Sequence, residues 1–435
     1  MSILTVWLKH SLKFSAVALL LLLCGNSFAQ PITKLNIEQA YLLAQKNYPL
    51  TKQRGLITKT KEYTVANAAK GYLPVFSLNG QATYQSAVTS FPFTLPIPGF
   101  SLPTYSKDQY KIFAEVDQVV YDGGLIKNQQ QVASANELIQ QQNLEVELYA
   151  LYDRINQLFF GALLINEQLK QNELVKKDIE NGINKAKALV ANGTAYRSSV
   201  DELSAQLLQT DQSRVELKAN KKAFIDMLGL FINSAIDENT VLEKPSSPVL
   251  VDSINRPELL FYDYQKKAYD LQDELLKTQL RPKFSLFAQG GYGRPGLNML
   301  SNDFALYYIG GLKLNWNLGS LYTLKNQKQL IDINRKSLDV QKETFLFNTT
   351  VTQKQQSADL IKYLELLKKD DTIIALRESV KKAAAAQLEN GVLSAHDYIN
   401  QVNAEDQARQ SLILHQTQLL QAQYNYQNTV GNIKK

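Results

Sequence analysis

Residues 71–85 read GYLPVFSLNGQATYQ, and from Phe76 onward apolar and polar positions alternate: Phe76, Leu78, Gly80, Ala82 and Tyr84 against Ser77, Asn79, Gln81, Thr83 and Gln85. Successive strand side chains point to opposite faces, so this period of two predicts a strand with one apolar and one polar face. A second alternating run sets Tyr110, Ile112, Ala114 and Val116 against Lys111, Glu115 and Asp117. The pattern then returns. Phe284-Ser285-Leu286 repeats Phe76-Ser77-Leu78, and Leu306, Tyr308, Leu312, Leu314 and Trp316 follow against Lys313, Asn315 and Asn317. Each pair of runs predicts one hairpin, about 75–121 and about 283–317. The segments inside the hairpins, AVTSFPFTLPIPGFSLPTYSK and RPGLNMLSND, read as surface loops.

Most of the remaining chain carries helix periodicity. Leu144, Leu148, Leu151, Ile155, Leu158, Ala162, Ile165 and Leu169 step by four and three, resuming at Ile179, Ile183, Ala186 and Val190. This is a heptad seam, interrupted by a polar patch at Asn172 and Lys176. Tyr152, Phe159 and Leu163 widen the stripe toward a second neighbour, with an ordinary two-stranded coiled coil as the competing reading. A helix running unbroken from Leu125 to Val190 would be ~100 Å long, more than a globular core can cover. The stretches 195–232, 320–389 and 394–430 are similar, which predicts long helix pairs at about 124–232 and about 320–430. Asn36 and Gln39 have the spacing of a capping box for a short first helix, and Pro49 and Pro257 suit the first turn of the next ones.

The chain is written twice. Pro49 recurs as Pro257, Pro74 as Pro282 and Tyr84 as Tyr292 at one offset, while Lys127-Asn128-Gln129 recurs as Lys325-Asn326-Gln327 and Asn192-Gly193 as Asn390-Gly391 at an offset ten residues shorter. The difference falls in the hairpin loops, where length change is tolerated. The expected organisation is a first repeat at 30–235, a proline- and serine-containing linker at 236–254 and a second repeat at 255–435.

Residues 1–29 stand apart from both. Lys9 and Lys13 precede a short apolar run from Phe14 to Leu23, then Ser27-Phe28-Ala29, which is the pattern of a secretory signal cleaved before Gln30. The run is about half of what a membrane-spanning helix needs. Cys24, the single cysteine, also invites a lipidated N-terminus, but Leu23 is bulky where that processing wants a small residue. With Cys24 removed, the mature chain has no thiol chemistry. Removal of Lys9 and Lys13 lowers a formal charge of only +6, too scattered to point to nucleic acid.

Four strands of about ten residues, each with an apolar and a polar face and with Tyr or Trp near the ends, match outer-membrane barrel strands. Four cannot close a barrel, because roughly eight is the smallest number that does. Lipid satisfies no backbone hydrogen bonds, so if these strands enter a membrane the missing ones must come from other copies of the chain.

In LNIEQAYLLAQKNYPL, in LPVFSLNGQATY with its twin RPKFSLFAQGGY, in VVYDGGL, and in the two NG segments followed by Gln- and Ala-rich helix, the chain resembles the TolC-like outer-membrane efflux proteins. The resemblance covers nearly all of the mature chain and implies a mainly α fold with transmembrane β. A long α-helical, coiled-coil barrel in the periplasm would continue into an outer-membrane β-barrel, with four strands from each chain of a homotrimer. It further implies a passive export duct of a tripartite efflux or type I secretion system. The partners would be a periplasmic adaptor (membrane fusion) protein, an inner-membrane pump and outer-membrane lipid.

The segments NGTAYRSSVDELSAQ and NGVLSAHDYINQVNA interrupt the long helices at matching places, and Asn-Gly suits a simple helix-ending turn. The resemblance adds a role: such turns form the periplasmic tip, here Asn192, Gly193, Thr194, Asn390, Gly391 and Val392, which docks the adaptor. Nearby acids ring the closed entrance. The aspartate six residues past the glycine falls on Asp397 in the second half and on Ser199 in the first; the acid nine past falls on Asn400 and Glu202; an arginine two past is replaced by Leu393. Three copies of Asp397 would favour cations at a narrow mouth. Asp397 also reads as a plain acid at a positive helix start, as do Asp201 and Glu202.

No reaction chemistry emerges. There is no nucleophile elbow, no phosphate-cradling loop, no spaced histidine pair, and His396 and His415 are too far apart in sequence for a local metal site. Tyr121-Asp122-Gly123-Gly124 is a strand-to-helix turn without a dinucleotide fingerprint. No cofactor, metal or catalytic residue is expected. The alternative function is a secreted periplasmic coiled-coil scaffold or adaptor.

Overall fold

The computed structural model describes residues 33–89, 106–298 and 301–433. The expected signal segment 1–29, with Cys24 and His10, lies outside the described residues, as does most of the loop after the first long strand. In chain order the elements are β1 (Lys34–Leu35), α1 (Ile37–Asn47), α2 (Gln53–Ala69), β2 (Val75–Tyr84), β3 (Asp108–Tyr121), α3 (Leu125–Tyr149), α4 (Leu151–Ala191), α5 (Arg197–Ile232), β4 (Val241–Leu242), α6 (Pro257–Gln279), β5 (Lys283–Arg294), β6 (Ala305–Asn315), α7 (Leu321–Glu389) and α8 (Ala395–Val430). They form two compact units, one of residues up to Thr51, Leu148–Asn255 and from Asn348 on, the other of Lys52–Glu147 and Arg256–Phe347. Among the described residues no helix is long and apolar enough to cross a membrane.

The second unit contains a four-stranded antiparallel sheet in the order β2-β3-β5-β6, so the two hairpins join through β3 and β5. The register carries the sequence alternation across all four strands. Leu78, Ala114, Gly290 and Tyr308 share one face, while Ser77, Glu115, Gln289 and Ile309 share the other. The apolar face is bare: Phe76 is 76% and Tyr308 85% exposed, with Leu78, Tyr84, Leu306 and Leu312 alongside. Among the described residues β2 and β6 each have one unpaired edge, and the sheet is open. The polar face is not uniformly polar, since Phe113 and Tyr307 close over Gly291, where a Cβ would lie within 2.8 Å of both.

Both second strands hand over to helix in the same way. Asp122 accepts from the amides of Gly124 (2.8 Å) and Ile126 (2.6 Å), with Gly123 and Gly124 at φ of +75° and +87°. After β6, Asn317 accepts from the Gly319 amide at 3.1 Å. An Asx side chain that binds the backbone two residues on ends a strand and opens the following turn.

In the first unit, α1 starts at the expected capping box, the Gln39 amide donating to Asn36 Oδ1 at 2.8 Å. Pro257 occupies the first turn of α6 as expected. Pro49 instead opens a 3₁₀ turn, Pro49–Lys52, ahead of α2. The helix expected from Leu125 to Val190 is two helices, α3 and α4, parted at Ala150. Beside the break the two tyrosines turn to different partners, Tyr149 donating to the Asn428 carbonyl (2.7 Å) and Tyr152 accepting from Gln45 (2.8 Å).

The broad stripe of α4 meets more than one helix. Tyr152, Phe159, Phe160 and Leu163 pack with Tyr41 of α1, Leu228 and Ile232 of α5 and Tyr424 of α8. A two-stranded coiled coil is thereby overturned, because those apolar residues outside the heptad seam face second and third neighbours. The polar patch lies against α5, with the Asn172 amide donating to the Thr210 carbonyl (3.1 Å) and Lys176 paired with Asp211 (2.9 Å). Segment 236–254 is tied down: β4 pairs in parallel with β1, and Tyr424 donates to the Ser246 carbonyl.

Candidate functional site

The two Asn-Gly turns lie at the α4–α5 and α7–α8 junctions, and they are the same motif built twice. Gly193 (φ +74°) donates to the Val190 carbonyl and Thr194 to Leu189; Gly391 (φ +70°) donates to Leu388 and Val392 to Gln387. This 6→1 and 5→2 pair of bonds satisfies the last helix carbonyls and needs a left-handed residue, which glycine supplies without a Cβ penalty. The turns are neighbours, since a Cβ on Gly391 would lie 3.9 Å from Leu189. Lys185 of α4 ties them further through Glu389 (2.8 Å) and the Ala385 carbonyl (3.3 Å). Tyr196 and Val392, 85% and 77% exposed, project from the pair.

The outgoing helices differ. Ser394 caps α8 by accepting from the Asp397 amide (3.1 Å), and its hydroxyl donates to the Asp397 carboxylate (2.7 Å). Tyr196 stands at the same place before α5 and gives no side-chain cap. Ser199 only donates its amide to the Tyr196 carbonyl (3.1 Å), and Asn400 is exposed one turn further along α8. Glu202 meets His396 Nδ1 at 2.9 Å, so α5 and α8 are bridged just past the turns. Within one chain the structure therefore brings Glu202 to His396, not to Asp397, and Asp397 has the contacts of a helix-capping acid.

Below the turns, Val175, Ile179 and Ile183 of α4 pack with Leu203, Leu388, Tyr398 and Val402. Tyr398 lies over Gly182, where a Cβ would come within 2.7 Å of its ring, and donates to the Asp178 carbonyl (3.0 Å). Burial, with the Asp178 charge, pushes its phenol up to about 12. Deeper still is a charge cluster that the sequence reading missed. Glu405 is 2% exposed and sits between Arg409 and Lys381, while Lys381 also pairs with Asp178 (2.7 Å) and Arg409 with Glu378 (3.1 Å). Burial alone would lower the Lys381 ammonium, but the Asp178 bond and the nearby carboxylates outweigh it and hold the value raised. The Glu405-Arg409 spacing of four was its only sequence signal. Next to it Asp406, bonded by Gln171 (3.0 Å), lines a polar groove of about 490 Å³ with Asn172, Thr210 and Asn403.

Among the described residues no three His, Cys, Asp or Glu side chains are placed to share a metal ion. No protein-family model matches the chain, and no curated protein matches it in sequence. Its fold matches solved structures well. CusC, described for transmembrane channel formation, aligns at TM-score 0.66 with 12% identity over 93% of this chain and 94% of that one. The outer-membrane protein VceC of Vibrio cholerae aligns at 0.62 with 13% identity over 91% and 96%. The open-state MtrE outer-membrane channel of Neisseria gonorrhoeae aligns at 0.63 with 12% identity over 92% and 89%. The chain has the fold of the TolC-like outer-membrane channels.

Proposed function

We propose that the protein is the outer-membrane duct of a tripartite efflux or type I secretion system, exporting cargo passively and performing no chemistry. The observation that carries this reading is the open four-stranded sheet, apolar on one bare face and unpaired at both edges, in a chain with the fold of outer-membrane channels. Twelve strands from three chains close a barrel in lipid, and the helices of the three chains line a passage in the periplasm. Residues 1–29 direct export and are removed; the two repeats, 30–235 and 255–435, are joined by 236–254. The turns at Asn192-Gly193-Thr194 and Asn390-Gly391-Val392 meet a periplasmic adaptor coupled to an inner-membrane pump. Asp397, with Asn400, Ser199 and Glu202, surrounds the entrance.

Fractionation and planar-bilayer recording test this reading. The protein is expected to stay with outer membranes through a high-salt wash, to need detergent for release, and to insert as a poorly conducting channel. Asp397→Ala is expected to raise conductance or reduce cation preference. Release by salt would indicate a periplasmic scaffold instead, and an unchanged record for Asp397→Ala would remove that residue from the entrance.

A further inference from the structure

We propose that the polar face of the sheet, where its strands give way to helix, holds a binding site for a multiply charged oxyanion, a soluble phosphate- or carboxylate-bearing solute. A cavity of about 600 Å³ opens there, lined by Arg281, Lys283, Ser285, Lys313, Asn315 and Asp117 among others. That volume is in the range that takes small molecules. The register pairs Ser285 with Lys313 and Lys283 with Asn315, so the two lysines are diagonal neighbours on one face of adjacent strands. Among the described residues neither forms an ion pair. Arg281 spends one guanidinium N–H on the Gly123 carbonyl (3.0 Å) and keeps its charge at the rim.

The acids of this cavity form no ion pair with the two lysines. Both carboxylate oxygens of Asp122 are taken by the amides of Gly124 and Ile126. Asp117 accepts from Ser285 at 3.4 Å, more than a hydrogen-bonded ion pair away from either lysine. Three cations thus face two carboxylates, neither of them in an ion pair with the lysines, and Lys283 and Lys313 repel each other across a strand pair until an anion lies between them. Two unpaired lysines side by side are met together by a ligand that carries more than one negative charge, which is why such a ligand is assigned. The site lies on the face opposite Phe76, Leu78 and Tyr308, so a lipid headgroup seated against the bare apolar face does not reach it.

Placing such a solute on an export path rests on the channel reading; binding itself does not. The full chain in detergent, titrated calorimetrically with inorganic pyrophosphate at low ionic strength, should show saturable binding at one site per chain. Lys283→Gln/Lys313→Gln should weaken it tenfold or more with an unchanged helical circular-dichroism spectrum, and Lys283→Arg/Lys313→Arg should restore it. The exposed single change Lys313→Gln, expected to weaken binding severalfold, serves if the double variant does not fold. Absence of saturable binding, or equal affinity in wild type and the Gln variants, overturns the site. Bilayer recording on the same protein separates the two ideas: a conducting protein that ignores pyrophosphate removes the site alone, and a binding protein that never conducts removes the duct alone.

Discussion

Asp397 and Asp406 lie on the same helix and answer to different surroundings. Asp397 is exposed and held by Ser394, whereas the sequence alone reads it only as an acid at a positive helix start. Asp406 is half-buried, and burial pushes its carboxyl up against the opposing bonds from Gln171 and Gln410, with the Glu405 charge adding to the rise. The folded chain therefore holds that proton more tightly than the unfolded chain. The resulting stabilisation is complete below the ordinary carboxylate range and is lost as pH rises through the raised folded value, leaving an ionised, poorly solvated group at neutral pH. Asp406→Asn is expected to raise the melting temperature at pH 7–8, with the gain shrinking toward pH 4; a gain equal at both would show that ionisation is not the cause. No local pattern announced this residue, because its environment comes from Gln171 on α4, more than two hundred positions away in sequence.

At the level of elements the sequence was easier to read. Strands β2, β3, β5 and β6, helices α5, α7 and α8, and the capping box of α1 follow from alternation, heptad spacing and cap chemistry, all of which act within a few residues. The break at Ala150 gave no such signal, since its backbone stays in the right-handed helical region at φ −63° and ψ −17° and the hydrogen bonds of Tyr149 and Tyr152 beside it go to residues distant in sequence. The twin turns were legible as Asn-Gly, while the bridge from Glu202 to His396 was not, because it joins helices that only the fold makes adjacent. The turns make a direct prediction. Gly391→Ala places a Cβ at φ +70°, at a cost of roughly 1–2 kcal/mol. Thermal denaturation of the helical signal should shift down accordingly, and Gly193→Ala should match it because the two motifs are superposable in their hydrogen bonds. A neutral result at either glycine would mean that its turn relaxes into a different geometry.

For the whole molecule, the sheet says more about number than any helix does. Among the described residues one chain offers a four-stranded sheet with two unpaired edges, whereas closure requires roughly eight or more strands. Chemical cross-linking of intact membranes is expected to stop at three chains; a ladder that ends at two or continues past three would contradict the proposed assembly. The number three came from resemblance, and sequence physics alone reached only "more than one", because hydrogen-bond closure fixes a minimum and leaves the stoichiometry to barrel geometry.

The bare margins of β2 and β6 also bear on inheritance. In the proposed ring each chain lends one margin to a neighbour and borrows another, so a subunit spoiled at a single margin would still join through its sound side and prevent that ring from closing. An allele with such a defect would poison its normal counterpart when the two are made together, far beyond its own share of the pool.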